Sequence, residues 1–133
     1  MALMGLVASL GVRGYRSWRS SAALEAAGRA ARGHLALART RALGRRETLR
    51  VRLGARGALE TLDSEGRVVD RSWLWDDSSP LDSVRLRPRT LRFNARGQAA
   101  PGSLYLFRGT RAIRIVCNFL GRLRVTRLST AGG

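Results

Sequence analysis

Chemistry in this chain has to come from arginine. All 25 basic residues are Arg, set against nine carboxylates, and the formal net charge is +16. A guanidinium stays protonated, carries five N–H donors in a rigid plane and meets phosphate oxygens two at a time. It suits neither nucleophilic attack nor proton abstraction. What it offers is attraction to polyanions such as nucleic acid or anionic lipid headgroups. The absence of Lys is also what a codon bias toward G and C produces, so the count alone assigns no function. One group of these Arg lies at Gly121-Arg-Leu-Arg124, with Arg114 and Arg127 close by in sequence.

Other reactive side chains are sparse. The one His, His34, lies in a helical stretch with no Ser, Cys or carboxylate motif around it, and reads as a helix-surface or packing residue. The one Cys, Cys117, sits in an apolar alternating run and reads as a small buried core residue, with no intramolecular disulfide available. There is no Cys/His cluster with zinc spacing, no Gly-rich phosphate loop with Lys and no G-x-S-x-G. Four of the nine carboxylates, Asp70, Asp76, Asp77 and Asp82, fall in one stretch with Trp73, Trp75 and Pro80. An oxygen-rich loop can hold calcium, but the reading preferred here is that these acids offset nearby Arg. The two Trp are expected to cover the core edge. No catalytic residues, cofactor, metal or small-molecule substrate are expected, and the chain does not read as an enzyme.

The elements that must position these residues follow from periodicity. The chain of 133 residues suffices for one modest core. Residues 1–12 are apolar and the first charge is Arg13. That stretch is shorter than the ~20 residues needed to span a bilayer, and it reads as the remnant of a longer membrane helix. Leu24, Ala27, Ala31, Leu35, Ala38 and Ala42 recur at helical spacing, with Leu37 as a further large residue. Helix is therefore predicted over 1–45, with a membrane or filament-core part at 1–18, an amphipathic part at 19–45 and a stop at Gly44. Residues 46–133 form a globular β domain. Strands are predicted at 48–53, 58–62, 67–69, 84–87, 91–93, 103–108, 112–118 and 121–127, with 70–82 irregular. The fold class is α+β.

The last hairpin has a definite expected register. Matching apolar to apolar pairs Cys117 with Leu123 and Ile115 with Val125. Phe119-Leu120-Gly121 is then a three-residue loop with Gly121 left-handed. Arg114, Arg122 and Arg124 point together away from the buried face, since a one-residue slip would bury them.

Several segments in this order resemble the FimT/GspH family of minor pilins and pseudopilins. They are Ala2-Leu-Met-Gly-Leu-Val7, the amphipathic run from Ala22 to Leu43, Leu37-Ala-Arg-Thr-Arg-Ala42, and the strand Leu49 to Leu53. Leu91-Arg-Phe-Asn-Ala-Arg-Gly97 and Ile113 to Val125 with its Gly-Arg-Leu-Arg complete the set. The resemblance implies a pilin-like fold, in which a long N-terminal helix packs on a small antiparallel sheet domain. It also implies partners: other pilin or pseudopilin subunits met through the helix, and the bacterial inner membrane. The globular domain would lie in the periplasm or outside, within a pilus or pseudopilus. The family's mature chains begin with a Gly/Phe-Thr-Leu-Ile-Glu type motif after a basic leader. No such motif is present, so Met1 is expected to fall inside the usual helix, either because the start codon is misplaced or because the chain is truncated at its prepilin N-terminus. As written, it would lack both the peptidase site and the first-turn Glu.

Two functions follow from the resemblance. The first is structural, a minor subunit of a type II secretion pseudopilus or a type IV pilus. The second is DNA binding for uptake in natural transformation, because some FimT-like pilins carry a C-terminal Gly-Arg-x-Arg matched here by Gly121, Arg122, Leu123 and Arg124. Arg122 and Arg124, aided by Arg114 and Arg127, would then contact backbone phosphates without reading sequence. Each neutralised phosphate adds about −0.9 to the slope of log K against log salt, so three contacts give roughly −3.

Overall fold

The computed structural model describes residues 2–76 and 80–129, and for residues 2–20 the backbone only. Helix α1 (Ala2–Arg45) has 44 residues and a length of about 66 Å. It runs through Gly44, where a stop was expected. The left-handed residue is Arg46 (φ 53°), and the Glu47 amide closes back on the Ala42 carbonyl at 3.3 Å. This is a Schellman ending with Arg where Gly is usual.

Eight strands follow: β1 (Leu49–Leu53), β2 (Ala58–Leu62), β3 (Val68–Trp73), β4 (Ser83–Arg87), β5 (Thr90–Phe93), β6 (Gly102–Arg108), β7 (Arg111–Cys117) and β8 (Leu123–Ser129). They form two four-stranded sheets rather than one small one, ordered β3-β2-β1-β5 and β4-β6-β7-β8. Every pairing is antiparallel. The split follows from the break at Pro88 between β4 and β5, because each of those two strands joins a different sheet.

One core joins all three layers. The predicted stripe Leu24, Ala27, Ala31, Leu35, Ala38 and Ala42 is buried throughout. It packs on Leu49, Val51, Leu59, Leu91 and Phe93 from the first sheet and on Leu86, Leu104, Leu106, Ile113, Ile115 and Cys117 from the second. Small side chains let the helix come close: a Cβ at Gly28 would lie only 3.1 Å from Ile113 Cδ1. Leu37 falls off the stripe and is exposed, because position 37 is turned away from its neighbours Leu35 and Ala38 on the helical wheel.

Strand β3 corrects the sequence reading. It continues through Trp73 instead of ending at Val69, and the reason is chemical. Its helix-facing residues, Asp70 and Ser72, are polar, so the usual alternation is missing. Both serve His34, which is buried at 3% exposure. His34 Nδ1 is 2.8 Å from Ser72 Oγ and Nε2 is 2.8 Å from Thr61 Oγ1. Asp70 Oδ2 stands 3.5 Å from Nδ1 and 3.4 Å from the Arg41 guanidinium. A neutral imidazole donates from one nitrogen and accepts at the other, and hydroxyls can serve either role. His34 is thus a polar pin between the helix and the first sheet. Thr61 on Nε2 and Asp70 on Nδ1 lie on opposite ring nitrogens, as Ser and Asp do in a triad, but the Thr61 hydroxyl is fully buried, so the group ties the helix to the sheet.

Asp70 and Asp82 of the acidic stretch serve different partners. Asp70 serves His34 and Arg41, while Asp82 accepts the Gly109 amide at 2.6 Å. Asp77 lies outside the described residues. Among the described residues no three His, Cys, Asp or Glu gather to hold a metal ion. Trp75 packs partly buried on the core edge, as expected. Trp73 does not: it is 57% exposed on the outer face, with the Arg71 guanidinium 5.9 Å from its ring centre.

Burial pushes the His34 pKa below its ordinary value; Asp70 works against that shift and Arg41 adds to it. The unfolded chain then binds the proton more readily than the folded one. This contribution to stability is complete above about pH 6.5 and is lost as pH falls through the lower folded value. Chemical denaturation from pH 8 to 5 should show stability falling below about pH 6.5. In His34→Leu that pH dependence should vanish, and stability at pH 8 should drop by about 1–3 kcal/mol because buried Thr61 loses its partner.

Candidate nucleic-acid interface

One local rule builds three turns. Asp63, Asn94 and Asn118 each accept, through Oδ1, the amides two and four residues on, at 2.9–3.0 Å. The third residue after each is a left-handed Gly: Gly66 (φ 83°), Gly97 (φ 76°) and Gly121 (φ 79°). Its amide closes on the first residue's carbonyl at 3.1, 2.9 and 2.9 Å. An Asx side chain that mimics a backbone turn, followed by Gly at positive φ, accounts for all three turns.

The last of these turns sets the candidate site. The observed pairs are Cys117 with Leu123 and Ile115 with Val125, and the loop is Phe119-Leu120-Gly121, as expected. The turn leans on its counterpart at Gly97. A Cβ on Gly121 would lie 2.3 Å from the Gly97 carbonyl oxygen, the Ala99 amide donates to the Phe119 carbonyl at 3.0 Å, and Arg39 Nε donates to the Gly97 carbonyl at 3.0 Å. The Gly of the Gly-Arg-Leu-Arg segment is therefore a packing requirement of the turn.

The structure separates the five residues singled out from sequence. Gly121 shapes the tip. Arg122 is exposed just beyond it and lines a cleft of about 400 Å³ with Arg32 and Arg39 of α1. Arg124 is exposed and Arg114 half-buried; both lie on the face of the second sheet opposite the core, where they are diagonal neighbours on β8 and β7. Arg127 is not part of that group. It pairs across from Ile113, which turns it toward α1, where it forms an ion pair with Glu25 whose second contact is 2.9 Å. The Arg127 hydrogen bond holds the Glu25 carboxyl below the usual carboxylate range. A guanidinium already matched to a carboxylate on the helix side is a poor companion for Arg122 and Arg124.

Sequence reasoning missed other members of this surface. Arg85 and Arg87 of β4 and Tyr105 and Phe107 of β6 share the outer face of the second sheet with Arg114 and Arg124. The registers give one lateral row, Arg85–Tyr105–Arg114–Thr126, beside a second, Arg87–Ser103–Val116–Arg124. The signal was present in the alternation of Arg85 and Arg87 around Leu86 and of Tyr105 and Phe107 around Leu106. Pairing registers were needed to bring the two strands together.

A long helix laid across antiparallel sheets with an exposed terminal hairpin defines the pilin-like class of folds. The family described as Type II transport protein GspH matches residues 27–121, and the chain belongs to that family. Among solved structures it is similar to the Pseudomonas aeruginosa type IV minor pilin FimU, at 14% identity and a TM-score of 0.57 over 84% of this chain and 90% of that one. It is also similar to the Vibrio cholerae type 2 secretion minor pseudopilin EpsH, at 18% identity and a TM-score of 0.48 over 71% and 88%. No curated protein sequence matches the chain.

Proposed function

We propose that the protein is a minor pilin or pseudopilin, a structural subunit of a type IV pilus or a type II secretion pseudopilus. The observation that carries this reading is the division of labour along α1. The core draws on α1 from Leu24 to Ala42, roughly 27 Å of a helix about 66 Å long. The sequence before it is apolar up to Arg13. That first part would pack on the equivalent helices of neighbouring subunits and hold the subunit at the inner membrane before assembly, with the β domain in the periplasm or outside. Among the described residues no helix is long and apolar enough to cross a membrane by itself. The test is photocrosslinking in the host from positions 6 and 10, with position 50 on the outer face of the first sheet as control. Adducts identified as other pilin-like subunits, formed from 6 and 10 and not from 50, are expected. Equal labelling from all three positions contradicts the reading.

A second reading is supported by Arg122 beside Arg32 and Arg39, with Arg114 and Arg124 across the sheet: a surface for the DNA phosphate backbone, as in an uptake pilus. It predicts salt-dependent duplex binding by the full chain. Arg122→Gln/Arg124→Gln should lower the log–log salt slope by about two, whereas Arg50→Gln/Arg92→Gln, on the outer face of the first sheet, should leave it unchanged. Equal weakening by both pairs means diffuse charge and removes this reading.

A further inference from the structure

The outer face of the second sheet combines two features that phosphate contact alone does not need. The first is a pair of aromatic rings. Tyr105 and Phe107 lie two residues apart on β6 with their planes 8° from parallel and their centres 6.2 Å apart. Both are half-buried, because they rest on a sheet with no helix on that side. Together with Arg85 and Arg87 they line a shallow depression of about 210 Å³. The second feature is unopposed charge. Tyr105 is flanked across the ladder by Arg85 on one side and Arg114 on the other, with Arg87 and Arg124 in the next row. The four strands of this sheet contain no Asp or Glu. None of these four Arg pairs with a carboxylate among the described residues. Arg114 Nε is shielded from solvent and has no hydrogen-bond partner among the described residues, a donor left without an acceptor there.

We propose that this face is a base-stacking platform for single-stranded nucleic acid, with Tyr105 and Phe107 receiving bases and Arg85, Arg87, Arg114 and Arg124 receiving the flanking phosphates. Four-stranded sheets that stack successive bases on exposed rings are a recurring way to hold unpaired strands. The combination of aromatic platforms with a basic track is tolerant of sequence, since every base has a π-face. A duplex keeps its bases stacked internally and can use only the Arg; a polyanion without bases likewise. The charge complementarity admits any polyanion, and the rings select the one with exposed planar bases. The proposal deepens the nucleic-acid reading of the hairpin by naming the unpaired strand as ligand, and it shares Arg114 and Arg124 with it. It adds Arg85, Arg87 and the two rings, which that reading does not use.

The test is fluorescence anisotropy of the full chain with a labelled 20-nucleotide oligothymidine, the matching duplex, and polyphosphate as a base-free polyanion. Tyr105→Leu/Phe107→Leu keeps apolar cover on the sheet and removes stacking. It should weaken single-strand binding by about tenfold or more, with duplex and polyphosphate binding within about twofold. Tyr105→Phe should retain wild-type affinity. Ultraviolet crosslinking of wild-type protein to the oligothymidine, read by tryptic mapping, should mark the peptide 97–108 that holds both rings. If the Leu pair binds the single strand as tightly as wild type and crosslinks map elsewhere, the platform is overturned, while a loss confined to Arg122→Gln/Arg124→Gln keeps the hairpin reading. If polyphosphate binds as tightly as the single strand, the rings select nothing and the platform is overturned.

Discussion

The contact between the small-residue stripe of α1 and the inner faces of two sheets is the constraint on which the rest of the structure depends. The sheets belong to one core only because the same helix covers both. Ala27, Ala31, Ala38 and Ala42 present almost no side-chain volume, so Phe93 and Leu49 on one side and Ile113 and Ile115 on the other join them in one core, and Ile113 Cδ1 stands 3.1 Å from where a Cβ on Gly28 would lie. Burial of apolar area of this kind contributes about 25 cal/mol per Å². It also fixes the register of β7 and β8, because a slip by one residue would exchange Ile113 and Ile115 for Arg114. The exposed Arg face of the second sheet is the other side of the same alternation.

Electrostatics then works around that core. Glu60 is buried between Arg52, at 3.1 Å, and Arg71, at 2.6 Å. The Arg71 hydrogen bond pulls its carboxyl pKa down, burial opposes, and Arg52 adds to the lowering. Asp70 holds Arg41 and neighbours His34, and Glu25 holds Arg127 to the helix. These carboxylates lie on the first sheet and the helix, where they tie elements together. The second sheet has none on its strands, and among the described residues Arg85, Arg87, Arg114 and Arg124 on its outer face have no carboxylate partner. Uneven placement of nine acids among 25 Arg, more than the Arg count itself, is what makes one face suited to polyanions.

Much of this could be read from residues in order. The helical stripe, the turn at Gly121 and the final hairpin register all rest on local rules: spacing of three and four, a left-handed Gly, and period-two alternation. The misses were long-range. β3 was cut short because its inward residues are polar, and their reason for being polar, His34, lies 38 residues away. Arg127 was grouped with Arg122 and Arg124 because it is near them in sequence, whereas strand parity turns it to Glu25, 102 residues distant. Tyr105 and Phe107 went unnoticed because their Arg neighbours sit on other strands. A site assembled across a sheet shows in the sequence only after the pairing is known.

The claim that most needs testing is that close approach of the Ala stripe holds both sheets to one helix. The direct measurement is equilibrium urea unfolding at neutral pH of Ala31→Leu, in the buried stripe, beside Ala36→Leu, on the exposed face of the same helix. Leu at position 31 has no room and should lower stability by about 1–3 kcal/mol, while Leu at position 36 should stay within about 0.5 kcal/mol of wild type. Equal stabilities for the two variants would contradict the account, because the helix could then stand off from the sheets without loss.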